Sequence, residues 1–342
     1  MTATGNGNAI IKGGIVCVGN FIVDRIHTLD YWPIQGNLAH ILGEDIGLGG
    51  GAANVAADLV SLGFSGAIAA AGAIGDDADG TFIAAQLEAK GIDASHLVQI
   101  TGMSTAHTHV MNVPGQGLTF FYHGGAGDRF DETMIDPAVF AARGFRYLYL
   151  GYLMLMPGLD RLGDDAGSGA ARLLSAAREA GLVTCVDFVS SEDPAFSAKV
   201  RAALPFCDYL VINEMEAGRA TERPVRRVDG SLDEAALIAA GKDLLDAGVT
   251  SAVVLHAPET CLWYQRDEAP QLIPSRPVKP EAIVSAVGAG DAFCAAVLYG
   301  LHSGWSARET AEMAHRVAAS SLSGKTATDG IPSMADLLAQ KE

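Results

Sequence analysis

The chain has 342 residues, 49% of them hydrophobic and 18% charged, with 40 glycines to make turns, a composition that excludes disorder and fits a compact α/β enzyme of one large or two ordinary domains. A formal net charge of −17 excludes nucleic acid and anionic membrane surfaces as partners, and no apolar run approaches the ~20 residues of a membrane span. Five scattered cysteines, Cys17, Cys185, Cys207, Cys261 and Cys294, form no C-x-x-C pair and are expected to be reduced core thiols. Residues 1–12 have neither a basic nor an apolar leader region, so we expect a disordered N-terminus, a folded unit over 13–342 and a cytoplasmic protein.

The first predicted strand covers residues 14–18. It is followed by Asp24, placed beyond a strand's carboxyl end, where ligands gather in parallel sheets. Residues 24–47 lose helical periodicity and carry strand-like runs. The glycine cluster Gly49-Gly50-Gly51 then opens a predicted helix over 52–62, on which Val55, Leu59 and Leu62 share a face. A dinucleotide fingerprint can be forced onto Gly47, Gly49 and Ala52, but the preceding strand lies too far upstream. A better reading lets these glycines bring a polyol close to the backbone, with Asn54 supplying both a donor and an acceptor.

A strand over 66–71 and a helix over 79–90 follow. Residues 104–123 again break the rhythm, with a Pro-Gly-Gln-Gly hairpin turn at 114–117. We expect 24–47 and 104–123 to pair as a small separate sheet acting as a lid, two ordinary surface hairpins being the alternative. His107, His109 and His123 alternate here as surface or interface histidines; no local carboxylate or Cys completes a metal site.

From there, strands over 145–150, 182–187, 209–212 and 251–255 alternate with helices over 166–180 and 233–247. That order predicts a parallel sheet covered on both faces. Asn213 and Glu216 follow a strand and share a helix face. They read either as an N-cap with a first-turn acid or as groups orienting a hydrated Mg²⁺.

The most informative stretch is residues 285–293, where Gly288, Ala289 and Gly290 precede Asp291 at the start of an apolar helix whose buried face is Phe293, Ala296, Val297 and Gly300. First-turn amides have no intrahelical acceptor and sit at the positive end of the dipole, so these small residues can form an anion hole. Asp291 beside it can take the proton of an attacking hydroxyl, the arrangement phosphoryl transfer requires. No Walker loop accompanies it, since position 319, where one would need glycine, is Ala. A last helix is predicted over 308–322.

In their order and spacing, Gly49 to Gly63, the Asn213-x-x-Glu216 element and Val287 to Phe293 resemble the ribokinase-like, or PfkB, carbohydrate kinases over residues 14–332. The resemblance implies a three-layer α/β/α body with a mostly parallel central sheet, a small β-sheet lid, and ATP-dependent phosphorylation of a hydroxymethyl group. By the same resemblance Asp291 is the base, and the amides of Gly288, Ala289 and Gly290 are the anion hole. Asp24, Gly49, Gly50, Gly51 and Asn54 hold the acceptor, while Asn213, Glu216 and His315 serve the nucleotide, Glu216 also meeting Mg²⁺ through water. A homodimer packed through the lid is expected. Ser285-Ala286 replaces the family's usual D-T, so potassium activation is expected to be weak or absent. Leu255-His256-Ala257 replaces the usual T-x-G, His315 stands where many members carry Asn, and Asp187 to Ser191 lacks the Asn and Arg of a D-x-N-x-R element. A small sugar is the expected acceptor. Ile22, where ribokinases carry Asn, and the lid aromatics Phe120, Phe121 and Tyr122 keep a nucleoside as the alternative; a non-catalytic sugar- or nucleotide-binding regulator is the third reading.

Overall fold

The computed structural model describes residues 13–163 and 167–339, so the expected disordered segment 1–12 lies outside the described residues. In chain order the elements begin with β1 (Gly14–Gly19), β2 (Ile22–Leu29), β3 (Ile41–Gly49), α1 (Gly51–Ser61), β4 (Ile68–Gly75), α2 (Ala78–Ala89), β5 (Asp93–Ile100), β6 (Ala106–Asn112) and β7 (Leu118–His123). They continue with α3 (Pro137–Ala142), β8 (Phe145–Leu153), α4 (Pro157–Asp160), α5 (Gly169–Glu179), β9 (Val183–Phe188), α6 (Phe196–Ala203), β10 (Tyr209–Asn213), α7 (Glu214–Thr221) and α8 (Glu234–Asp246). The last are β11 (Ala252–His256), β12 (Thr260–Gln265), β13 (Gln271–Pro274), α9 (Ala289–Ser303), α10 (Ala307–Ser321) and α11 (Met334–Ala339).

Nine strands form the main sheet in the order β13-β12-β11-β10-β9-β8-β1-β4-β5, parallel except at the β11-β12 and β12-β13 pairs. Side chains alternate across it. Ile15 and Cys17 of β1 join the core under α1, α2, α9 and α10, whereas Val16 and Val18 join the core under α5 to α8. This double burial is why the parallel strands read as unbroken apolar runs. The chain leaves β1 toward β4 on one side and later returns to β8 on the other, so a crevice opens at the carboxyl ends of the strands.

On the α1, α9 and α10 side, packing is close. A Cβ on Gly300 of α9 would stand 2.6 Å from the Thr310 side chain of α10, so glycine sets their approach. Helix α1 is buried from Gly51 to Leu59, which explains its low polarity, and it carries one anomaly. Asp58 is fully buried with no hydrogen-bond partner on either carboxyl oxygen among the described residues.

The lid is a second sheet of order β3-β2-β6-β7. Both irregular segments supply its strands, with β2 parallel to β6 and the turn at 114–117 joining β6 to β7. His107 pairs directly with His123, and His27 Nε2 lies 3.0 Å from His109 Nδ1. Arg25 ties the sheet to α2 through Asp79 at 2.8 and 2.9 Å.

Candidate active site

Helix α9 begins one residue after Gly288, whose φ of 78° is left-handed and would be strained with a side chain. A Cβ there would also meet Ala327 O at 2.3 Å. This bend aims the first-turn amides into a cavity of about 440 Å³. The Ala289 amide has a long contact of 3.4 Å to Ala286 O. The Gly288 and Gly290 amides make no backbone hydrogen bond among the described residues, so both are free to donate. Ser285 stays nearby with its hydroxyl accepting from the Val287 amide at 3.2 Å.

Asp291 is 2% exposed and faces the same cavity. Its Oδ2 accepts from Asn54 Nδ2 and from the Tyr152 hydroxyl, each at 2.8 Å, while Oδ1 has no partner among the described residues. Burial raises its pKa to about 6, against the lowering effect of the two donors. The carboxylate is therefore ionised at neutral pH, held by one oxygen and open at the other. Asn54 accordingly contacts Asp291, and its own Oδ1 has no partner among the described residues.

Asp24 belongs to the lid sheet itself rather than to a loop after β1, opposite Thr108 on β6. Burial lifts it to about 7, with Thr108 lowering it by hydrogen bonding and the Asp291 charge raising it. The glycines that follow leave space for neighbouring groups. A Cβ on Gly49 would lie 2.3 Å from the Asp24 carboxyl, and one on Gly51 would lie 2.6 Å from the Tyr152 ring. Gly50, at φ 89°, passes under Asn20 O and alone of the three lines the cavity. Gly49 and Gly51 thus make room for the two side chains that act.

Asn213 caps α7, its Oδ1 accepting from the Glu216 amide at 2.8 Å while Glu216 Oε2 accepts from the Asn213 amide at 3.1 Å. Ser190 donates to the other Glu216 oxygen at 3.0 Å. The capping reading and the ligand reading coexist, since both residues also line the cavity. Asp187, at the end of β9, is pushed up strongly by burial and then by the neighbouring Glu216 charge; Glu216 itself is raised to about 7, chiefly by burial. His256 stacks on Phe293 at 4.7 Å and is lowered to about 4 by burial, so its imidazole is neutral. His315 packs against the other edge of Phe293 and hydrogen-bonds Ile273 O at 3.1 Å. It lines a neighbouring cleft of about 850 Å³ between residues 274–278 and α10, not the cavity of Asp291.

Tyr152 escaped the sequence reading. It follows β8 residue Gly151 with φ 58°, and Met154 has φ 84°, conformations that cost of order 1 kcal/mol each for such side chains. The loop is over-determined by buried Asp160, which accepts from the Met154 and Met156 amides at 3.0 and 2.8 Å, and by Asn20, which donates to Leu155 O at 3.2 Å. The available signal was position, because Gly151-Tyr152 sits at a strand's carboxyl end.

Among solved structures, ribokinase from Arabidopsis thaliana, complexed with ribose and ATP, superposes with a TM-score of 0.78 over 96% of this chain and 97% of that one, at 22% identity. Burkholderia thailandensis nucleoside kinase in complex with inosine gives 0.69 over 95% of each chain, at 17% identity. A 5-dehydro-2-deoxygluconokinase from Clostridium perfringens is 22% identical over 295 residues, 84% of this chain and 81% of that protein. One from Geobacillus kaustophilus is 22% identical over 302 residues, 85% of this chain and 83% of that protein. The family model of the pfkB family carbohydrate kinases matches residues 12–334, spanning every element from the lid to the anion hole, so this chain belongs to that family and is a kinase.

Proposed function

We propose that this sugar kinase moves the terminal phosphoryl group of ATP onto a hydroxymethyl group of a small sugar held between the lid and α9. The observation that carries this reading is the geometry of Asp291: one oxygen fixed by Asn54 and Tyr152, the other unpartnered beside the amides of Gly288 and Gly290. Asp24 orients the acceptor, Asp291 Oδ1 takes the hydroxyl proton, and the amides of Gly288, Ala289 and Gly290 stabilise charge on the transferring group. The transition state of phosphoryl transfer is loose, so positioning and charge neutralisation carry most of the catalysis. His315 and the adjoining cleft of about 850 Å³ would receive the base of the nucleotide.

Mg²⁺ fits the donor set, because Glu216 and Asp187 supply hard carboxylate oxygens whose pKa values are raised by burial and, for Asp187, by the Glu216 charge, which a divalent cation relieves. Both Glu216 oxygens already accept hydrogen bonds, so contact through water suits it. When bound, the ion would neutralise phosphate charge. With Ser285-Ala286 in place of two oxygen-rich side chains, K⁺ at constant ionic strength is expected to change the rate little.

A nucleoside acceptor is the second reading, supported by Phe120 and Tyr122 in the cavity wall. The curated relatives are named for a dehydro-deoxygluconate; here Asp24, rather than a cation, meets the acceptor. The exposed lid residues Ile34, Leu38 and Leu42 support a homodimer closed through the lid, which light scattering would test. Five buried free cysteines support residence in the reducing cytoplasm; no described helix is long and apolar enough to cross a membrane. ATP-dependent phosphate transfer to a panel of sugars and nucleosides tests the main reading. Binding without product would favour the regulator instead.

A further inference from the structure

Resting on the kinase reading, we infer that the acceptor is an electrically neutral polyhydroxy compound, and that the cavity rejects sugar acids and phosphorylated sugars. The cavity is walled by four carboxyl groups, Asp24, Asp187, Glu216 and Asp291, and by no Lys or Arg among the described residues. Its one histidine, His256, is half-buried, stacked on Phe293 and neutral. The hydrogen bonds of Asp291 come from Asn54 and Tyr152, and those of Glu216 from Ser190 and the Asn213 backbone amide, so neutral donors do the work a guanidinium would do elsewhere.

An anionic group on the acceptor would therefore meet these carboxyl groups and no Lys or Arg side chain to compensate it. Recognition of carboxylate or phosphate relies on a fork of N–H donors or an ammonium, and like charges in contact are strongly repelled. The remaining wall, Ile22, Leu155, Phe188, Val189, Phe120 and Tyr122, is apolar or aromatic. It suits the carbon face of an uncharged ring while Asp24 accepts from hydroxyls.

The test uses the full chain with ATP and Mg²⁺ and sets of neutral and anionic acceptors that all keep a free hydroxymethyl group: D-ribose and D-ribonate, D-glucose with D-gluconate and glucose 1-phosphate, adenosine and its 3′-monophosphate. Phosphate transfer and the melting midpoint are read for each. The uncharged member of at least one pair is expected to exceed its charged counterparts by ~100-fold or more in kcat/KM and to raise the midpoint where they do not. A charged member that matches or exceeds its neutral partner overturns the inference while leaving the kinase reading intact. Neutral members that raise the midpoint without accepting phosphate leave the inference standing and remove the kinase reading. No response to any uncharged member overturns the inference.

Discussion

Asp291 owes its usefulness to an asymmetry between its two oxygens. Asn54 and Tyr152 both donate to Oδ2, so the carboxylate cannot rotate freely, and Oδ1 is left to take a proton. General-base groups contribute typically ~10²–10⁴-fold, so Asp291→Asn should lower kcat by about that factor at an unchanged melting temperature. Turnover near the wild-type rate would remove Asp291 from the mechanism. Tyr152 makes a separate prediction. Its hydrogen bond favours the ionised form, opposing the burial that lifts Asp291 to about 6, so its loss raises the pKa further. In Tyr152→Phe the acidic limb of the kcat profile should move to higher pH, with kcat at pH 6 lower by about fivefold, the consequence at that pH of losing a charge-assisted bond of about 1.5 kcal/mol. A uniform loss at every pH would mean that the ring, not the hydroxyl, matters.

The lid and the glycine turn into α1 form one device, because the Asp24 carboxyl packs onto Gly49. In Gly49→Ala the new methyl would overlap that carboxyl at 2.3–2.5 Å, so Asp24 must swing or β2 must shift from β3. The acceptor KM should rise by about tenfold or more while the nucleotide KM is little changed, measured by initial rates; an unchanged acceptor KM would detach Asp24 from binding. The element level is also where sequence and structure part. Buried parallel strands such as β8 and β10 announce themselves as apolar runs, and α9 by its periodic face. Three strands of the main sheet did not, β5, with the polar sequence DASHLVQI, and the antiparallel strands β12 and β13, which follow no helical spacer; nor did the short helices α3, α4, α6 and α11. The lid was legible as two segments that fail helical periodicity, yet that failure does not reveal that β2 runs parallel to β6. At the site, residue types at helix starts gave Asp291, Asn54 and the Asn213-Glu216 pair. Tyr152 was hidden because its left-handed backbone is imposed by distant Asp160, not by glycine or asparagine at those positions. The neighbours of Gly49 and Gly51 were hidden for a related reason: a sequence shows that space is required, not which side chain fills it.

Across the whole molecule, the interior between the sheet and α9 holds more buried acid than its polar partners satisfy. Asp24 and Glu216 are raised to about 7, Asp291 to about 6, and burial lifts Asp58 and Asp187 well above the ordinary carboxylate range. In the unfolded chain all five titrate near ~4. Below that pH both states hold the protons; between ~4 and about 7 the folded state keeps protons that the unfolded state releases. Stability is therefore fully present at the acid end of this window and is lost as pH rises through the folded values, levelling off above them. The ligand-free protein should melt higher at pH 5 than at pH 8, by calorimetry. Asp58 separates this linkage from a mere relaxation of the −17 net charge. Its carboxyl finds no hydrogen-bond partner among the described residues, and removing a buried polar group that is unsatisfied gains rather than loses free energy, about 1–3 kcal/mol before any cavity term. Asp58→Ala should melt higher than the natural protein at pH 8, with a smaller difference between pH 5 and pH 8 and with turnover retained. If the variant instead melts lower at both pH values, the carboxyl is satisfied by enclosed water and the unfavourable burial assigned to it does not exist.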